Sequence, residues 1–116
     1  MNIQIFGTKK CQDTRKAERF FKERRIKYQY IDLAEKGLSK GELQSVIQSV
    51  GGISALINEK AHDQDTLALL KYTPEAMKFD KLLENQQLLR TPIVRNAKKA
   101  TVGNAPDTWK AWIEEG

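Results

Sequence analysis

The chain has 116 residues, 40% of them hydrophobic and 30% charged, and a formal net charge of +5. These values describe one globular domain, 1–116, with material for a single real core, and they exclude a disordered chain. No apolar run approaches the roughly 20 residues of a membrane span, and one cysteine with one histidine excludes an internal disulfide and a Cys/His zinc centre. With no basic-then-apolar leader ahead of the first strand, the cytoplasm is the expected location. The basic residues are spread along the chain, and Glu18 and Glu23 interrupt them in the first helix. The positive charge therefore reads as a solvated surface, with no direct contact to nucleic acid or membrane expected.

Asn2 to Phe6 alternates polar and apolar residues as a strand does. The pattern breaks at Gly7-Thr8, passes Lys9 and Lys10, and reaches Cys11. Directly afterwards Thr14, Ala17, Phe20 and Phe21 recur at helical spacing, which predicts a helix over Gln12 to Arg24. A cysteine at such a junction meets the free N–H groups and positive dipole end of the helix, which favour a thiolate over a thiol. Lys9, Lys10 and Arg15 add positive charge, and Thr14 is placed to hydrogen-bond the sulfur. A lone cysteine is usually a small buried hydrophobe. A polar loop at a helix start fits that role poorly, so Cys11 is expected to be a reactive thiol.

Ile26 to Leu33, rich in tyrosine and isoleucine, predicts a second strand and completes a right-handed βαβ unit. Ser39-Lys-Gly-Glu42 matches a capping box, so a helix is expected from Lys40 with Leu43, Val46, Ile47 and Val50 as its apolar stripe. Gly51-Gly52 ends it. Ile53 to Ile57 is apolar but too short to classify, and Asn58 to Gln64 is polar, with Lys60 and His62 in it; nothing beyond polarity singles out His62, Lys98 or Lys99. A helix is expected around Asp65 to Lys71, burying Leu67 and Leu70. Another is expected from Thr73-Pro74-Glu75, with Thr73 as N-cap and Pro74 as first helical residue, carrying Phe79, Leu82 and Leu83 inward as far as Asn85. Thr91 to Val94 and Ala100 to Val102 predict a hairpin across the polar turn at Asn96 to Lys99. A last helix carries Trp109, Trp112 and Ile113 on one face as core anchors. The order is β-α-β, helices, β-β-α, an α/β domain with a helical insertion at about 39–87 between the second and third strands.

That order, with a cysteine opening the first helix and Thr91-Pro92 opening the third strand, resembles a thioredoxin-like fold. The resemblance implies a cis Thr91-Pro92 bond facing Cys11. The segments Phe6 to Ala17, Leu56-Ile-Asn58, Leu88 to Val94 and Val102-Gly103 narrow it to the arsenate reductase family. That family includes the glutathione-dependent arsenate reductases, the YffB-type proteins and the Spx-type regulators, and the likeness runs through essentially the whole chain. The arsenate reductases hold their oxyanion with three arginines. At the matching positions this chain has Asn58, then Thr91 with Arg90 displaced by one residue, and no arginine near Val102-Gly103-Asn104. Arginine is the side chain suited to bidentate oxyanion capture, so arsenate is expected to be a poor substrate. Arg90 and Arg95 are the arginines left to reach the site.

The single-cysteine YffB-type branch is the most similar. It implies a glutathione-dependent thiol reductase or transferase with Cys11 as nucleophile and an external resolving thiol. Glutathione or a similar small thiol is the implied cosubstrate, an oxidised thiol or oxyanion the substrate, and glutaredoxin a further partner. Neither a bound cofactor nor a metal is implied. Lys9, Lys10, Thr14, Arg15, Asn58, Arg90, Thr91 and Pro92 are the expected surround of the thiol. The alternative implied by the Spx-type branch is a regulator that binds RNA polymerase or another protein. There Cys11 serves as a one-thiol sensor or is inactive, since Cys11-Gln-Asp-Thr14 lacks the second cysteine of a CxxC switch.

Overall fold

A computed structural model describes all residues, 1–116. Four strands, β1 (Ile3–Gly7), β2 (Tyr28–Asp32), β3 (Ile93–Asn96) and β4 (Lys99–Val102), form one sheet in the order β2-β1-β3-β4. The helices are α1 (Gln12–Glu23), α2 (Lys40–Val50), α3 (Gln64–Tyr72), α4 (Glu75–Glu84) and α5 (Pro106–Glu115). β1 runs parallel to β2 and antiparallel to β3, and β3–β4 is a hairpin. The expected thioredoxin-like architecture is present, with α2, α3 and α4 between β2 and β3.

Strand alternation sorts the core onto two faces of the sheet. Ile3, Ile5 and Val94 pack with Ala17, Phe20 and Phe21 of α1 and with Trp109 and Trp112 of α5. Phe6, Ile31 and Ile93 face the other way, onto Leu43 and Val46 of α2 and the leucines of the insertion. Both tryptophans are buried, and the Trp109 indole N–H donates to the Thr101 hydroxyl at 2.8 Å. They are core anchors, as expected.

Two local expectations need correction, and the segment left unclassified takes a defined form. Ile53–Leu56 is a 3-10 turn, and a second one, Gln86–Leu88, closes the insertion. Thr73 does not cap α4: its hydroxyl turns back to the Leu69 carbonyl at 2.7 Å, and Pro74 stands as the residue before the helix. A hydroxyl that bonds the carbonyl four residues earlier is unavailable as a cap. β3 begins at Ile93 rather than at Thr91, because Pro92 has no N–H for the ladder. The Pro92 carbonyl instead accepts the Gly103 N–H at 2.8 Å. The Thr91-Pro92 peptide is cis.

Candidate active site

The site is built where β1 hands over to α1. The turn after Gly7 is closed by the Cys11 N–H donating to the Thr8 carbonyl at 3.2 Å. It is stapled to the first turn of the helix by Arg15, whose Nε donates to the Lys9 carbonyl at 3.1 Å. Cys11 is the N-cap of α1, in extended conformation, and makes no side-chain capping bond. The first-turn amides of the helix are therefore left facing the sulfur. Cys11 is half-buried, and its thiol donates to the Thr91 carbonyl at 3.6 Å. The Thr91 N–H has no partner within the chain, so the main chain beside the sulfur offers one free donor.

Partial burial pushes the Cys11 thiol up, but hydrogen bonds from the Thr14 and Thr91 side chains and from the Thr14 and Asp13 amides outweigh it. The net result is a pKa below the ordinary thiol value. The Thr14 hydroxyl is 1% exposed and meets no partner of full hydrogen-bond geometry in the thiol form. A buried hydroxyl without a partner is costly, and the sulfur is the acceptor that would relieve it as the proton leaves. Gly7 makes this arrangement possible, because a Cβ there would overlap the Thr14 side chain.

The depression rests on hydrogen bonds. Lys9 and Lys10 are exposed, and Arg15 braces the loop.

A groove of about 530 Å³ is lined by Thr8 and Thr91, whose carbonyls bond the Cys11 amide and thiol, with Leu33, Leu89 and Leu83 supplying apolar wall. Asn58 lines it as expected, and its side-chain oxygen accepts the Lys60 N–H at 3.0 Å. Gln86 fixes one side by bonding both polar main-chain groups of Leu38, at 2.7 and 2.8 Å. Glu84 is the one charged residue of the lining.

Neither arginine lines this groove. Arg90 donates to the Ala55 carbonyl at 3.2 Å and lies against Gly103. Arg95 is held by Gln4 at 2.9 Å and by the Glu42 carboxylate at 3.2 Å. In the register Arg95 pairs with Gln4, near the start of β1, whereas Cys11 follows its end. The idea that Arg95 reaches the site is therefore overturned. No three His, Cys, Asp or Glu side chains converge as a metal site would require. Gly7, Gln86 and Glu84 were not foreseen as site residues. A glycine ending a strand is the only signal any of them carries in the sequence.

Comparison with known proteins agrees with this fold. The model of the ArsC family matches residues 6–112. A curated relative, global transcriptional regulator Spx 2 of Oceanobacillus iheyensis, is 29% identical over 115 residues, covering 97% of this chain and 84% of the relative. An ArsC family related protein from Bacteroides fragilis superposes with a TM-score of 0.82 at 22% identity, over 96% of this chain and 97% of that one. A YffB protein superposes with a TM-score of 0.79 at 21% identity, over 94% and 96%. With a match that runs from the end of β1 into the last helix, the chain belongs to the ArsC family.

Proposed function

We propose that this chain is a thiol–disulfide reductase that works with one cysteine and an external small thiol of the glutathione class. The observation that carries the reading is the Cys11 sulfur itself. It is half-buried at an uncapped helix N-terminus, with donors that favour its thiolate and the free Thr91 amide alongside. A thiolate is the nucleophile of disulfide exchange. In the first step the Cys11 thiolate attacks one sulfur of a disulfide; a Cys11–S–S–R bond forms, the substrate S–S bond breaks, and the second half leaves as a thiolate. In the second step an external thiolate attacks the sulfur of R. That step returns the Cys11 thiolate and leaves R joined to the external thiol; a second such thiol then releases R, so two thiols are oxidised to one disulfide while the substrate disulfide is reduced. The chain has no second cysteine, so resolution falls to the external thiol.

Arsenate fits the site poorly, because the groove has no cation and its one charge is that of Glu84. Capture of an oxyanion in such a groove would need the bidentate arginine that is absent from it.

A second reading, a regulator that binds a protein such as RNA polymerase, is supported by the relative named a global transcriptional regulator. Two measurements separate the readings. Intact mass after incubation with oxidised glutathione should show one glutathionyl adduct on the wild type and none on Cys11→Ser. With glutathione and bis(2-hydroxyethyl) disulfide, turnover should be catalytic and should vanish in Cys11→Ser. An adduct without turnover would favour the regulator with a one-thiol sensor, and no adduct would remove both redox roles.

A further inference from the structure

We infer that the disulfide partner is a protein segment held in extended form along α4, with an apolar side chain on the α3–α4 corner and a basic one at Glu84. This inference rests on the reductase reading and names its substrate class.

Four large hydrophobic side chains of the chain are exposed, and three of them cluster: Leu69 at 59%, Tyr72 at 89% and Met77 at 61%. They lie on α3, at its end and on the first turns of α4, around a second hollow of about 620 Å³. Scattered exposed apolar residues are ordinary, whereas a clustered set rimmed by charge marks a contact surface. The hollow follows one face of α4, through Met77, Asp80, Lys81 and Glu84. That is helical spacing, so the stripe runs along the helix rather than around it.

Glu84 lines both this hollow and the groove beside Cys11. The two hollows therefore adjoin at Glu84 as a trough that leads from Thr8 and Thr91, the main-chain partners of Cys11, to the apolar corner. The charges along it are Asp80, Lys81 and Glu84, two carboxylates against one ammonium, on a chain whose net charge is +5. Neither carboxylate is in an ion pair. The neighbouring Lys78 is held at 2.9 Å by Glu75 and does not compete for them. A small anionic disulfide would fill only the sulfur end and would meet Glu84 there. A segment with one basic and one apolar side chain satisfies the whole trough. Met77 and Glu84 are seven residues apart, about 10 Å along the helix, which about three residues of extended chain would span.

The test uses synthetic peptides whose cysteine carries 5-thio-2-nitrobenzoate, followed by a spacer of about two to six residues, then lysine, and phenylalanine about three residues further on. Both chain directions are included, with serine-for-lysine-and-phenylalanine peptides as controls. Release of the coloured thiol is compared with release from Ellman's disulfide, for the wild type and for Tyr72→Ser/Met77→Ser, whose side chains are exposed. At least one spacing should react about tenfold faster than its control, and the double variant should lose that advantage relative to Ellman's disulfide. Equal rates at every spacing, or an advantage that survives the double variant, would overturn the inference.

Docking is read apart from chemistry by titrating Cys11→Ser with the serine-for-cysteine peptide and following backbone amide signals. Shifts at Leu69, Tyr72, Met77 and Glu84 are expected. Their absence overturns the docking surface. Their presence in a protein whose wild type exchanges no disulfide upholds the surface and refutes the reductase.

Discussion

Two helices of this domain begin in opposite ways. At α2 the capping box is complete: the Ser39 hydroxyl accepts the Glu42 N–H at 3.2 Å, and the Glu42 carboxylate accepts the Ser39 N–H at 2.8 Å. At α1 the N-cap is Cys11, whose thiol makes no capping bond, and the amides of Asp13 and Thr14 are left to favour its thiolate. Both helices start with the same unsatisfied donors. One end satisfies them within the fold and gains stability, and the other leaves them for a charge that appears when a proton departs. The difference between a structural and a chemical helix start therefore lies in a single side chain and what surrounds it.

Exchanging the chemistry at α1 should have the largest effect. Cys11→Ser should abolish disulfide exchange altogether while leaving the thermal midpoint unchanged or higher, since serine is among the preferred N-caps. Residual exchange in that variant, measured with bis(2-hydroxyethyl) disulfide, would show that the sulfur is not the reacting atom.

Removing the cap at α2 tests the other side of the comparison. Ser39→Ala should cost about 1 kcal/mol of unfolding free energy and leave the Cys11 titration where it was. Denaturant unfolding and a thiol titration on the same sample check both halves.

Smaller effects sharpen the account of α1. Thr14→Val removes the buried hydroxyl but keeps its shape, so the Cys11 titration should move up without a matching loss of stability. Gly7→Ala should move it the same way and also destabilise, because the added methyl displaces Thr14. Identical titrations in wild type and both variants would remove Thr14 from the site.

The subtlest effect is on stability against pH. The thiol pKa is lowered in the folded protein, so between the folded value and the unfolded value of about 8.5 the unfolded chain holds the proton more tightly. Stability from this group is complete above the unfolded value and is lost as pH falls through the folded one. The wild type should therefore gain unfolding free energy relative to Cys11→Ser as pH rises across that window; a flat difference would contradict it.

What could be read from the sequence follows the range of the interactions. The capping box at Ser39 and Glu42, the glycine stop at Gly51 and the cysteine at the α1 start are local patterns, and each is present as expected. The cis Thr91-Pro92 bond was legible only through the family likeness. Closeness in sequence to Cys11 does not say where Lys9, Lys10 and Arg15 point, and the bond from Arg15 to the Lys9 carbonyl is visible only in the fold. Thr73 reads as an N-cap, yet its hydroxyl prefers the Leu69 carbonyl one turn back. Glu84 and Gln86 carry no sequence signal at all, because the groove that they line exists only once the insertion has folded against the loop bearing Cys11.

The central claim is that the open start of α1 holds Cys11 as a ready thiolate, and thiolate absorbance titrated against pH, with Cys11→Ser as the blank, tests it most directly. The account expects a single midpoint below the ~8.5 of a free cysteine. A midpoint at or above that value would contradict it and would make Cys11 a structural residue.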